Sequence, residues 1–396
     1  MIAVTSGRGI CPGRLLMVPD RAFKIRALAI LLESLLQRLF RCAAGLLSAI
    51  RNAAGNPDKA YFGGQRCHCP TDLTLHLLHS EGVREGCAIV VDYGSNVQRH
   101  DRKPFPVTAL RRIASEISAG ETVHVKTDNL EAFVDEVLPF ITRPITLVTG
   151  DSDAGCVGQF EHLLNHPSIA HWFVQNCDVT YRHPRLTRIP IGLDNPVFTK
   201  LEKRLGFLLT MLLGKTPPDF SFSRNDMGDQ SLLQRIKRES MRPNREKNAR
   251  ALCTFHNNQK LVAPDLTDLP DRHAAFEELQ DNPVCDSMPR RLPQEDYWRI
   301  HDRYAFEVCP AGNGLDCFRT WECLFLETIP IVKTSTLDPL YQDEGFPVVI
   351  VETFREITME RLRQWQEEKQ ALFTEDMHYR LTNDYWLDKI NGNYPR

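Results

Sequence analysis

Two Rossmann-like α/β domains facing a cleft are the fold class this sequence predicts, and three observations predict it. Short apolar runs alternate with helical patterns along most of the chain, as in parallel sheets crossed by helices. Two of the runs, 145–149 and 188–191, are followed at once by glycine and aspartate, at Gly150-Asp151 and Gly192-Leu193-Asp194. Residues 304–333 read as strand, glycine turn, helix, strand, the unit in which α/β domains hold phosphate at a helix N-terminus.

Residues 1–66 read as an N-terminal helix and a linker. Leu28, Leu31, Leu32, Leu35, Leu36 and Leu39 fall at helical spacing within 27–50, giving an amphipathic helix with a basic side. Glu33, Gln37, Arg38 and Arg41 interrupt it, so no transmembrane span is expected. A helix docked on the protein and one lying on a membrane surface both fit, so peripheral membrane contact through 27–50 stays open. Gly55, Pro57, Gly63 and Gly64 mark 51–66 as linker.

Residues 67–200 form the first α/β domain, with strands at 88–92, 123–126 and 145–149 and helices at 107–118 and 130–138. Residues 201–245 break the pattern and read as a hinge or insertion. Residues 246–396 form the second domain. Its strands are expected at 251–255, 283–286, 304–309, 329–332 and 347–351. A charged amphipathic helix follows at 357–372, then a tail with Tyr379, Tyr385 and Trp386.

The chemistry concentrates after 304–308. Pro310 stops the strand, and Gly312-Asn313-Gly314 makes a tight turn, glycine and asparagine tolerating positive φ. A helix is expected from Asp316 to about Glu327, ended by Thr328 and Pro330. Cys317, Phe318, Trp321, Leu324 and Phe325 share its apolar side. Asp316, Arg319, Thr320, Cys323 and Leu326 lie on the other, with Glu322 about 60° from Arg319. The mouth therefore offers a guanidinium fork suited to a diphosphate and two carboxylates suited to sugar hydroxyls. Asp316 also fits as a helix N-cap, and Arg319 with Glu322 as a surface ion pair. A P-loop is excluded, because Leu315 and Asp316 follow Gly314 where Lys and Ser/Thr are needed. A dinucleotide fingerprint is excluded too, because Cys317 stands in place of the third glycine.

The run from Pro310 to Glu322, followed by Ile329-Pro330-Ile331-Val332, resembles the donor-binding segment of exostosin-type glycosyltransferases and related glycosyltransferases. The resemblance covers 304–351, is weaker over 143–194 and around 245–256, and is absent from the first 60 residues. It implies a GT-B-like architecture, a glycosyltransferase activity, a nucleotide-sugar donor, and a glycan or protein acceptor. It implies no permanently bound cofactor and no required metal. Donor-binding residues would be Gly312, Asn313, Gly314, Asp316, Arg319, Glu322, Lys333 and Arg245. Gln175, Asn176 and Asp194 would lie on the acceptor side. Asp151 and Asp153, beyond the carboxyl end of a strand, are placed to meet hydroxyls or to supply a general base; helix capping and loop solvation also fit them. The family habit would put the protein in the Golgi or ER lumen. Ala311, Phe318 and Glu327-Thr328 depart from the family pattern, Phe318 standing where many relatives have histidine.

Composition sets the outer bounds. The chain has 396 residues, 42% hydrophobic and 25% charged, as in ordinary globular proteins. Its formal net charge of −3 provides no basic field for nucleic acid. The run from Lys237 to Arg250 is basic but lacks the aromatics of a single-strand binder. Twelve cysteines are scattered without regular spacing, several in apolar stretches, which leans toward a reducing compartment. Cys67-His68-Cys69 with His76 and His79 has metal-ligating residue types, but the spacing is unlike structural zinc sites, so no metal is expected there.

Overall fold

The computed structural model describes residues 60–62, 77–91, 117, 120–194, 229–255, 272–288 and 292–392. The amphipathic segment 27–50, nearly all of the helix expected at 107–118, Cys67 to His76 and most of 201–245 lie outside the described residues.

Two wholly parallel sheets carry the chain. In the first, β1 (Ala60–Phe62), β2 (Ile89–Val91), β3 (Thr122–Lys126), β4 (Ile145–Gly150), β5 (Ile169–Val174) and β6 (Leu186–Arg188) lie side by side in chain order. The second contains β7 (Asn248–Cys253), β8 (Cys285–Ser287), β9 (Tyr304–Val308), β10 (Ile329–Lys333) and β11 (Val349–Val351), in the order β8-β7-β9-β10-β11. Both sheets are Rossmann-like in being parallel and helix-flanked. Only the second reverses its winding, between β7 and β9. Connections on either side of a reversal leave by opposite faces, which opens a crevice at the strands' carboxyl ends.

Two strands escape the sequence pattern. Ala60–Phe62 falls in the expected linker yet pairs in register with β2. β5 lies inside the first sheet, between β4 and β6, but His171 interrupts its apolar run. That histidine is buried and its Nε2 lies 2.8 Å from Thr187 Oγ1 on β6, so sheet neighbours satisfy the polar group that hid the strand.

One face of the first sheet buries Val123, Val125, Leu147, Trp172 and Val174 against α2 (Leu130–Glu136). The other face, through Val148, Phe173 and Ile189, joins a core that continues into the second lobe at Trp321, Leu324, Tyr341 and Phe346. A third core packs Cys253, Phe306, Val308 and Ile331 against Ala275 and Leu279 of α4 (Arg272–Leu279) and Leu362 and Trp365 of α8 (Met359–Lys369). Because the middle core spans both sheets, the lobes share apolar burial rather than meeting through polar surface alone. The tail strengthens this junction. Leu78 N–H donates to the Leu381 carbonyl at 2.8 Å, and α10 (Asn383–Ile390) lies on α1 (Ser80–Gly86) so closely that a Cβ on Gly82 or Gly86 would strike Asn383 or Leu387.

The helix after the glycine turn, α6 (Phe318–Phe325), is shorter than expected and ends in a Schellman motif. Thr328 N–H reaches the Cys323 carbonyl and Glu327 N–H the Leu324 carbonyl, with Glu327 at φ 54°. Glycine ordinarily takes that position. Here Glu327 carries the strain and pairs with Lys237 of α3 (Gln230–Ser240).

Candidate functional site

The glycine turn lies at the carboxyl end of β9, beside the reversal. None of Gly312, Asn313 and Gly314 has positive φ, contrary to the sequence reading. Close approach explains these glycines instead. A Cβ on Gly312 would come within 2.9 Å of Arg272 Nη2 and of Cys317 Sγ. A Cβ on Gly314 would come within 2.9 Å of the Asp153 carbonyl, in the facing lobe. The turn is thus a backbone mouth wedged between an arginine and the opposite sheet, with Asn313 exposed at its tip.

Arg319, in the first turn of α6, is 18% exposed at its side chain, while its ion-pair partner Glu307 is wholly buried. Arg319 Nε lies 3.3 Å from Glu307 Oε1 but is misaligned for a hydrogen bond. Burial opposes its charge, yet Tyr297 and Glu307 hold its pKa above the ordinary arginine value. Arg272, opening α4, donates from Nε to the Ala311 carbonyl at 3.1 Å. Burial and then the Arg319 charge push its pKa down. Two guanidiniums are therefore held near one another at one mouth, a costly arrangement without an anion.

Glu307 underlies the pair. Its Oε1 accepts from Thr254 Oγ1, and its Oε2 accepts from Tyr297 Oη at 3.1 Å and Cys323 Sγ at 3.0 Å. His301 Nε2 lies 2.6 Å from the same Oε2. Burial works against this carboxylate, but His301 and Arg319 hold its pKa below the ordinary value. Thr254, His301, Glu307 and Arg272 were not singled out in the sequence. A glutamate inside the apolar run Tyr304–Val308 was a readable signal; Arg272 gave none.

Two expected donor residues have other work. Asp316 is not the N-cap of α6; Cys317 occupies that place. Asp316 Oδ2 accepts from Ile191 N–H at 2.8 Å and Oδ1 from Trp321 Nε1 at 2.7 Å, so it pins the lobes together. Burial raises its pKa to about 7. Glu322 does not pair with Arg319 on the surface. It is buried, and its Oε1 accepts from Trp298 Nε1 at 2.9 Å and Gln294 Nε2 at 3.1 Å of α5 (Gln294–Ile300). Burial raises it, too, to about 7. The supposed solvent side of α6 is covered: Thr320, Glu322, Cys323 and Leu326 are all buried.

Lys333, at the carboxyl end of β10, is 3.2 Å from Glu278 Oε1 of α4. Arg245 is away from the mouth. It precedes the amino end of β7, about 20 Å of strand from the carboxyl ends, is 67% exposed, and pairs with Glu246.

Across the mouth, Gln175 and Asn176 are buried and fully engaged. Gln175 Oε1 accepts from Asp151 N–H at 2.9 Å and Ser80 Oγ at 3.2 Å, while Nε2 donates to the Pro190 carbonyl. Asn176 Oδ1 accepts from Asp316 N–H at 2.8 Å, and Nδ2 donates to the Ser152 carbonyl. Asp151 and Asn176 both hold left-handed backbone, φ 57° and 48°, a strain tertiary contacts must sustain. Asp151 is bound to Arg84 at 3.3 Å. Asp153 is exposed, with its backbone against Gly314. The Asp194 carbonyl accepts from Gln230 at the start of α3.

No family model matches the chain, and no curated protein does. Among solved structures, one described as trehalose-6-phosphate from E. coli bound with UDP-2-fluoro glucose is similar over 73% of this chain and 78% of that chain, at 9% identity and a TM-score of 0.33. The exostosin-type resemblance is therefore one of motif over 304–351. Among the described residues, no helix is long and apolar enough to cross a membrane.

Proposed function

We propose that the chain is a glycosyltransferase that moves a sugar from a nucleotide-sugar to a hydroxyl of a glycan or protein. One observation carries the reading: Arg319 and Arg272 converge at the glycine mouth, beside the winding reversal of the second sheet. Their repulsion is relieved by an anion of at least two charges, and a guanidinium fork suits a diphosphate. The dipole of α6 adds partial positive charge at the same place. The motif resemblance supplies the sugar nucleotide as the form of that diphosphate. In this reading Arg319 and Arg272 stabilise the departing nucleoside diphosphate. Asp153, exposed on the facing lobe, is the better base for the acceptor hydroxyl, because Asp151 is held by Arg84. Gly312, Asn313 and Gly314 cradle the phosphates through backbone. Lys333 contributes charge only by leaving Glu278.

A second reading is a catalytically inert nucleotide-binding module. It is favoured by the engagement of both Asp316 oxygens and of Glu322 Oε1 in internal hydrogen bonds, which leaves fewer acceptors for sugar hydroxyls. One experiment separates them. Purified chain is melted with a panel of nucleotides and nucleotide-sugars and then assayed for sugar transfer. A ligand at 100 times its dissociation constant raises stability by about 2.7 kcal/mol. A shift with turnover supports the transferase, a shift without turnover supports the module, and no shift with any nucleotide sinks both.

A further inference from the structure

Behind the mouth, His301, Glu307 and Cys323 bring one ligand atom each to a common point within 4.8 Å, all three fully buried. They come from three consecutive elements. His301 follows α5, Glu307 lies on β9, and Cys323 lies on α6. Cys309, just beyond the end of β9, has its Sγ 3.9 Å from that of Cys323. We propose that this cluster is a structural zinc site held by His301, Glu307 and Cys323, with Cys309, whose Sγ lies outside the 4.8 Å cluster, drawn in as the fourth ligand on binding.

The tautomer of His301 is the first argument. Its Nδ1 is 2.8 Å from the Tyr297 carbonyl, which can only accept, so Nδ1 carries the proton. Nε2 then presents a lone pair to Glu307 Oε2 at 2.6 Å unless a second proton stands between them. Cys323 Sγ meets the same oxygen at 3.0 Å and Nε2 at 3.7 Å. Three electron-rich atoms thus face one another and need positive charge between them. Two protons meet that need as imidazolium and thiol. One dication meets it with neutral imidazole and thiolate, releasing both protons to water. Cys309 also binds as thiolate, so three protons leave as Zn²⁺ enters and the buried cluster gains one negative charge beside Arg319.

The surroundings are the second argument. A zinc-bound histidine ordinarily donates its other N–H to a carbonyl or carboxylate, as His301 does to Tyr297. A ligating carboxylate is itself hydrogen-bonded, and Glu307 Oε1 accepts from Thr254 and pairs with Arg319. Tetrahedral zinc with bonds of about 2.05 Å to nitrogen and 2.3 Å to sulfur separates N from S by about 3.6 Å and S from S by about 3.8 Å. The corresponding separations here are 3.7 Å and 3.9 Å. The nitrogen–oxygen edge, 2.6 Å here, has to open to about 3.3 Å on binding, and the sulfur–oxygen edge, 3.0 Å here, to about 3.5 Å. Full burial suits a closed structural site filled during folding. Zinc there would stitch α5, β9 and α6 together and hold the carboxylate behind Arg319, whatever ligand the mouth takes.

The test is metal analysis of the full chain, expressed with zinc and purified without chelators. The Cys67→Ser/Cys69→Ser variant is run beside it, so that zinc on that segment is not mistaken for this site. About one zinc per chain in both proteins, lost in Cys323→Ser, is expected. Less than about a tenth of an equivalent in folded wild-type protein overturns the proposal, as does zinc that Cys323→Ser retains. Should Cys323→Ser fail to fold, cobalt-substituted Cys67→Ser/Cys69→Ser protein decides. A thiolate-to-cobalt absorption band supports the site, and its absence sinks it. Neither result depends on sugar transfer.

Discussion

The mouth is lined by polar side chains from both lobes, which use them oppositely. In the first lobe, Gln175 and Asn176 direct their amide groups inward, to Asp151, Pro190, Ser152 and Asp316. In the second, Arg319 has one misaligned ion-pair contact, and Arg272 meets the Ala311 carbonyl and the Cys317 side chain, with the remainder of the two guanidiniums at the mouth. A satisfied polar group stabilises the fold, whereas a charged donor with unspent capacity is able to take a ligand. The difference follows from topology. The first sheet runs in chain order, so its strand ends close against the second lobe. The second reverses at β7 and β9, where a crevice opens.

The comparison is broken most severely at Glu307, the charge that makes the cationic mouth tolerable. Glu307→Gln leaves Arg319 without its buried partner, and removal of one member of such a pair costs about 3–5 kcal/mol. At about 2 °C per kcal/mol for a chain this long, the melting temperature should fall by about 6–10 °C. A fall under about 2 °C would mean that Glu307 does not compensate the arginine.

The two arginines sharpen the contrast, because they should differ in stability and agree in binding. Arg319→Ala removes a partner of buried Glu307 and should lower stability. Arg272→Ala removes a cation whose charge burial and Arg319 both disfavour, so the free protein should be as stable or more so. Each should weaken binding of a nucleoside diphosphate by about 1.5–3 kcal/mol, on the order of 10- to 150-fold, the worth of a charge-assisted hydrogen bond. Calorimetric titration with UDP, GDP and ADP reads this. Wild-type affinity in both variants would move the anion site elsewhere.

Much of this was legible in the chain, and the failures have physical causes. The strands of the second sheet show because parallel strands buried on both faces are nearly continuous apolar runs. β5 was hidden by His171, whose partner Thr187 is a neighbour only in space. Arg319 could be found because glycine spacing marks the mouth locally. Arg272 could not, because α4 reaches the mouth only through the fold. Asp316 reads in the sequence as a donor-binding acid or an N-cap; its hydrogen-bond partners Ile191 and Trp321 are 125 and five residues away, and only the nearer lies within the reach of a local pattern. Gly312 and Gly314 read in the sequence as a positive-φ turn, whereas in the fold it is close approach that leaves no room for a Cβ; backbone conformation is a local inference and close approach is not.

The smallest expected effect concerns the pin between the lobes. Burial raises the Asp316 carboxyl from 3.8 to about 7 in the folded chain. Between those values the folded chain keeps a proton that the unfolded chain has released, so stability falls as pH rises through the window. The slope from this group is at most about 1.4 kcal/mol per pH unit. Glu307, Glu278, Asp286 and Asp302 are shifted downward and act in the opposite sense. The measurement is therefore a difference between denaturation curves of wild-type and Asp316→Asn protein from pH 4 to pH 7. Asparagine cannot titrate, and its amide faces donors at Ile191 and Trp321, so the variant should be less stable by about 1–3 kcal/mol at the acid end. The gap should narrow toward pH 7, as wild-type loses the contribution the variant never had. A gap that stays constant would mean that Asp316 is ionised throughout, its charge held by the two N–H donors alone.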